Sequence, residues 1–125
     1  MATVQDFFRL PAEWELQDGI ILMWPHEQTD WAPYMDEVIE TFVALAEVIT
    51  RYEHLIIAAR EIGAVQSKLE MRLDDWQMCR VSIYACDTND TWARDVAPIT
   101  IVGENGTPNR LLDFCFNGWG EKFAA

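Results

Sequence analysis

Residues Gly19–Arg60 read GIILMWPHEQTDWAPYMDEVIETFVALAEVITRYEHLIIAAR, and this stretch decides the fold class. Its opening, GIILMWP (Gly19 to Pro25), is a short apolar run between glycine and proline, the pattern of a strand buried on both faces. Pro25 has no N–H to donate and should end the pairing. Between Pro33 and Tyr52 the apolar positions Val38, Ile39, Phe42, Leu45, Ala46 and Ile49 line one face of a helix. Asp36, Glu37 and Glu40 near its start and Arg51 near its end complement the helix dipole. HLIIAAR (His54 to Arg60) is strand-like again, so the stretch alternates strand, helix and strand and indicates an α/β chain.

Working outward, IGAVQSKLEMRL (Ile62 to Leu73) returns to helical spacing through Val65, Leu69 and Leu73. CRVSIYAC (Cys79 to Cys86) then alternates like a half-buried strand. Two apolar runs around GENGTPN, near the C-terminal end, predict a hairpin. The chain of 125 residues has room for one domain, and no linker, repeat or low-complexity tract divides it. It ends at FNGWGEKFAA, after a glycine-rich loop with no closing element, which leads us to expect a piece of something longer.

The formal net charge is -12. An acidic surface repels phosphate backbones and anionic headgroups, so neither nucleic acid nor a membrane is expected as a partner, and a cationic ligand is favoured. The N-terminus MATVQDFFRLPAEW carries no charged leader before a long apolar run, and no stretch is long enough to span a bilayer. The expected location is the cytoplasm. Cys79, Cys86 and Cys115 form no Cys-x-x-Cys pair and sit in apolar surroundings, so the expectation is three free, buried thiols and no metal site.

One segment concentrates chemistry: YACDTNDTWARDVAPI, Tyr84 to Ile99. Carboxylates beside a tryptophan suit a planar cation. A guanidinium stays charged and offers its donors in a fixed fork to a carboxylate, while an indole face can stack on the same plane. Asp95 and Trp92 are candidates for these two roles. An internal reading stands beside this one. Arg94 could itself supply the guanidinium, paired with Asp90 or Asp87, with Trp92 in the core and Asp-Thr-Asn-Asp as turn chemistry. Residue types alone favour the internal reading. The functional reading requires a backbone bend between Trp92 and Asp95, because an extended strand would point them to opposite faces.

NDTWARDVAP (Asn89 to Pro98), LDFCFNGWGEKF (Leu112 to Phe123) and PAEWELQDGIILMWP (Pro11 to Pro25) together resemble the N-terminal part of the agmatine deiminases and Porphyromonas-type peptidyl-arginine deiminases. The resemblance implies a pentein fold, an α/β propeller of five ββαβ-type units around a central channel. The first ββαβ unit and part of the second would be present here, so that residues 1–125 form an incomplete N-terminal portion of one catalytic domain. It implies an enzyme that hydrolyses a guanidinium carbon–nitrogen bond through a cysteine adduct and releases ammonia, without metal or organic cofactor. Agmatine would give N-carbamoylputrescine, placing the parent in polyamine metabolism. Peptidyl-arginine is the alternative substrate, and a non-catalytic guanidinium-binding or protein-association module the alternative of another kind.

By the same resemblance Asp95 binds the substrate guanidinium and is counted as catalytic. Trp92 lines the substrate stem, and Trp119, in a loop bordering the channel, is a further substrate contact. Glu121 departs from the expected pattern, which has a second glycine there. The family's nucleophilic cysteine, its His-x-Asp block and a further acid have no match here. The expectation is therefore a fragment or truncated gene product that is inactive alone. Cys115 has no cationic neighbour to lower its pKa and is not taken as the nucleophile. His26 and His54 are read as structural. An incomplete propeller exposes apolar module edges, so a homo-oligomer is also an expectation.

Overall fold

The computed structural model describes residues 7–123. The extreme N-terminal residues, read above as lacking a leader, lie outside the described ones. Three parallel strands form the main sheet in the order β2-β3-β4: β2 is Gly19–Met23, β3 is His54–Ala59 and β4 is Val81–Ala85. The register sets Leu22 against Ile57 and Ile57 against Ile83. Parallel neighbours need a crossover, and the helical patterns supply it. Helix α1 (Met35–Thr50) joins β2 to β3, while α2 (Ile62–Glu70) and the single turn α3 (Asp75–Met78) join β3 to β4. A second sheet is antiparallel in the order β1-β5-β6, from Phe8–Arg9, Ile99–Gly103 and Arg110–Leu112.

The core lies on one face of the parallel sheet. Leu55, Ile57 and Ala59 of β3 are buried together with Val43 and Ala46 of α1 and Val65 and Leu69 of α2. Trp24 closes it, edge-on to Phe42 at 5.7 Å between ring centroids. His54 and Ile56, the alternate residues of β3, are exposed. Among the described residues the sheet is therefore covered on one side only, and every residue of β2 is only partly buried, in place of the expected strand hidden on both faces. The stripe of α1 is also rotated from the expected one. Val38, Val43, Ala46 and Thr50 are buried and Leu45 is exposed, because the buried line follows steps of three, four and five residues rather than the positions of largest side chains.

Buried polar groups are partnered at the helix junction. The Thr50 hydroxyl donates to the Ala46 carbonyl at 2.7 Å, and Gln77 Nε2 donates to Thr50 Oγ1 at 3.0 Å and to the Glu47 carbonyl at 2.9 Å. Asp74 caps α3 by accepting from the Gln77 amide at 2.8 Å, an N-cap that offsets an otherwise unsatisfied donor. The three cysteines are free as expected, but all are exposed. Cys86 lies just past the end of β4, and Cys79 and Cys115 lie outside the strands, so none of their side chains enters the core that the apolar neighbours fill.

Candidate functional site

A cleft of about 490 Å³ opens at the carboxyl ends of the parallel strands. Met23, the last residue of β2, and Cys86, just past β4, both line it. This is where loops leave a parallel sheet together and where ligands are most often received. The lining residues fall into four chemical classes. Asp30, Asp87 and Asp90 are acidic; Trp92, Trp119, Phe116 and Phe123 are aromatic; Gln28, Thr29, Thr88 and Asn89 are polar; Met23, Cys86 and Val96 complete the lining. Among the described residues no lysine, arginine or histidine lines it.

The segment singled out from sequence forms one rim. It leaves β4, bends at Asn89 and Thr91, and after Trp92 makes a single helical turn, α4, over Ala93–Val96. The Asp95 amide donates to the Trp92 carbonyl at 3.1 Å and the Ala97 amide to the Ala93 carbonyl at 2.8 Å. Pro98 ends the turn, since the residue before a proline is driven to extended backbone and Ala97 has ψ 149°. The required bend between Trp92 and Asp95 is thus a helical turn, in which residues three apart share a side.

Trp92 is 51% exposed, so it lies outside the core, and it meets Trp119 edge-to-face with centroids 6.4 Å apart. Asp95 is exposed on α4, its carboxylate has no hydrogen-bond or ion-pair partner among the described residues, and it is not one of the lining residues, although Val96 beside it is. Arg94 is exposed and forms no ion pair among the described residues, contrary to the expected pairing with Asp90 or Asp87. Asp90 is engaged locally instead, its Oδ1 accepting from the Thr91 amide at 2.7 Å.

Trp119 is the hub of an aromatic cluster that Trp92 joins. Phe116 and Phe123 stand edge-on to it at 4.9 and 5.6 Å. It is presented by the turn Gly118–Glu121, in which all four residues have positive φ. Asn117 steadies the turn, its Oδ1 accepting from the Gly120 amide at 3.0 Å. Edge-to-face pairs contribute about 0.5–1.5 kcal/mol each, so the cluster holds the indole in place.

Sequence reasoning brought Trp92 and Trp119 to this cleft and missed Asp30, Phe116 and Phe123. It also missed the support beneath it. His26 and Arg60 both bond to the Thr88 carbonyl, and Trp31 Nε1 donates to Thr91 Oγ1 at 3.0 Å. A signal existed: His26 and Arg60 each follow a strand end, where a parallel sheet collects its functional loops.

Known proteins resemble this chain over nearly its whole length. Residues 9–125 match the family described as Porphyromonas-type peptidyl-arginine deiminase. The agmatine deiminase of Pseudomonas aeruginosa is 31% identical over 115 residues, which are 92% of this chain and 30% of that protein. A structure of a C. jejuni agmatine deiminase variant with substrate bound superposes with a TM-score of 0.82 at 30% identity, over 100% of this chain and 35% of the other. The chain therefore spans about a third of the length of the relatives it matches.

Proposed function

From the premise that this chain belongs to the Porphyromonas-type peptidyl-arginine deiminase family, we propose that it is the cation-holding N-terminal part of a guanidine deiminase. The reaction is hydrolysis of agmatine to N-carbamoylputrescine and ammonia through a cysteine adduct, with the nucleophile outside these residues. Residues 1–125 are, in this reading, the N-terminal portion of one pentein domain. The observation that carries the reading is the cleft itself, walled by three carboxylates and two tryptophans with no basic side chain among its lining residues. Such walls attract a cation and repel an anion. An indole facing a desolvated guanidinium adds about 1–2 kcal/mol.

In this reading Trp92 lies along the aliphatic stem of the substrate and Trp119, edge-on to it, is a further substrate contact. Asp95, unpartnered, accepts two parallel N–H bonds from the guanidinium. Holding the planar cation presents one face of its carbon to a thiolate, which adds there to give a tetrahedral adduct from which the nitrogen, once protonated, leaves as ammonia. Agmatine is favoured over peptidyl-arginine by the substrate-bound relative. The family description keeps the peptidyl substrate as the second reading.

Two experiments test this. The isolated chain should form no ureido product, because an activated thiolate with a proton-transfer partner is needed. Product formed by the chain and abolished by Cys115→Ser would overturn that. In the whole deiminase, Asp95→Asn keeps the shape but turns one acceptor into a donor facing donors. Losing one partner of a desolvated ion pair costs roughly 2–5 kcal/mol, so kcat/KM for ammonia release should fall at least about tens-fold. Kinetics close to the unmodified enzyme would remove Asp95 from the site.

A further inference from the structure

We infer that His26 and Arg60 are positioning residues for the cleft: together they clamp the Thr88 carbonyl and so set where Trp92 stands. The inference rests on the reading that the cleft receives a guanidinium cation, and it adds two residues that do not line the cleft and that the sequence marked as structural or not at all.

Three strand ends converge on one atom. Arg60 directly follows β3, His26 lies shortly after β2, and Thr88 shortly after β4. His26 Nε2 stands 2.8 Å from the Thr88 carbonyl oxygen, and His26 Nδ1 accepts from the Gln28 amide at 3.2 Å, so Nε2 carries the proton and donates. Arg60 brings Nε at 3.0 Å and Nη2 at 2.8 Å to the same oxygen. Its Nη1 donates to the Gln28 side-chain carbonyl, which closes a ring of His26, Thr88, Arg60 and Gln28. A second tie follows, from Trp31 Nε1 to Thr91 Oγ1, one residue before Trp92.

Stability alone does not account for this arrangement. A carbonyl with two lone pairs is satisfied by two donors, and here it receives three. Arg60 is partly buried and has no carboxylate partner among the described residues, so its guanidinium is directed at carbonyl oxygens rather than at an ion pair. What the ring does achieve is geometric. It fixes Thr88 from two directions and the Trp31 tie fixes Thr91, which leaves the span to Trp92 little freedom. The helical turn carrying Asp95 starts at the next residue.

The test uses the 125-residue chain and the variants His26→Leu, His26→Gln and Arg60→Lys. Lysine keeps the charge and loses the fork; glutamine keeps an N–H donor where His26 Nε2 stands. Amide hydrogen exchange is followed at Thr91 and Ala93, whose N–H groups bond within the segment, with Leu55 as a core reference. Agmatine is titrated against the indole resonance of Trp92. The expected result is exchange at Thr91 and Ala93 at least about fivefold faster in His26→Leu and Arg60→Lys, an unchanged Leu55 rate, and agmatine binding weakened at least about fivefold, with His26→Gln close to the parent. Unchanged exchange at Thr91 and Ala93 in both variants overturns the inference, as does acceleration at Leu55 by the same factor. A parent chain whose Trp92 does not respond to agmatine refutes the guanidinium reading, while the exchange rates still decide the clamp.

Discussion

Gly118→Ala should release the aromatic wall of the cleft while leaving the parallel sheet intact. Gly118 has φ +64°, and a β-carbon there would stand 2.1 Å from the Phe123 carbonyl oxygen, where real contacts stay above 3.0 Å. The obstacle is backbone and cannot rotate aside. Gly120 provides the control: its φ is +81°, but nothing lies within 4 Å of where a β-carbon would stand. Alanine at Gly120 therefore meets only the left-handed penalty, about 1 kcal/mol. Alanine at Gly118 meets that penalty and the clash, up to the free energy that holds the turn closed. That closure consists of the Glu121 amide on the Asn117 carbonyl at 2.7 Å and the Lys122 and Phe123 amides on the Gly118 carbonyl at 3.1 and 3.3 Å. At about 1 kcal/mol net for each bond, the turn opens at a cost of about 2–4 kcal/mol. Exchange of the Glu121 and Lys122 amides should thus accelerate about 30-fold or more in Gly118→Ala and about fivefold in Gly120→Ala, with the Trp119 indole resonance shifted in the first. Equal effects in the two variants would refute the reasoning.

Glu121→Gly should raise the stability of the same turn by about 0.5–1 kcal/mol, since Glu121 holds φ +65° and glycine carries no penalty there; slower exchange at Lys122 is the readout. Thr50→Val should lower the urea-unfolding free energy by about 1–2 kcal/mol, because Thr50 is 0% exposed and Gln77 Nε2 loses one of its two acceptors. The Glu15 carboxyl is held below its ordinary range by the Arg9 side-chain hydrogen bond first and the Ala12 amide second. Its folded pKa is depressed, so its small contribution is present above the unfolded value and lost as pH falls through the lowered one. Arg9→Gln should flatten that part of the pH–stability profile, and an unchanged profile would show that the pair contributes nothing measurable.

The α/β order was legible because each element carries its own period. The long stripe of α1 and the short apolar runs of β2 and β3 leave little choice, and GENGTPN marks the hairpin of β5 and β6. Burial was less legible. The run GIILMWP reads as covered on both faces, but what covers a strand is decided by elements far away in sequence, and here helices pack on one face only. The exposed cysteines follow from the same limit. At the site, Trp92 and Asp95 stood out by residue type. The turn joining them was concealed, because Ala93–Val96 is too short to show a helical period. The Thr88 clamp was concealed too, since its donors come from three different strand ends. The glycine pattern around Trp119 was readable, and its physical reason is the run of positive φ at Gly118–Glu121.

The central claim is that this cleft receives a guanidinium cation against Trp92, with Asp95, on the helical turn beside the lining residue Val96, as the carboxylate that recognises its planar fork. Its most direct test compares agmatine with 1,4-diaminobutane, which keeps the four-carbon spacer and double charge but replaces the planar fork with an ammonium. The indole resonances of Trp92 and Trp119 report binding to the 125-residue chain and to Asp95→Asn. The account predicts that agmatine shifts both indoles, binds at least about tenfold more tightly than the diamine, and loses that advantage in Asp95→Asn. Equal binding of the two cations, or an advantage for agmatine that survives Asp95→Asn, would contradict it.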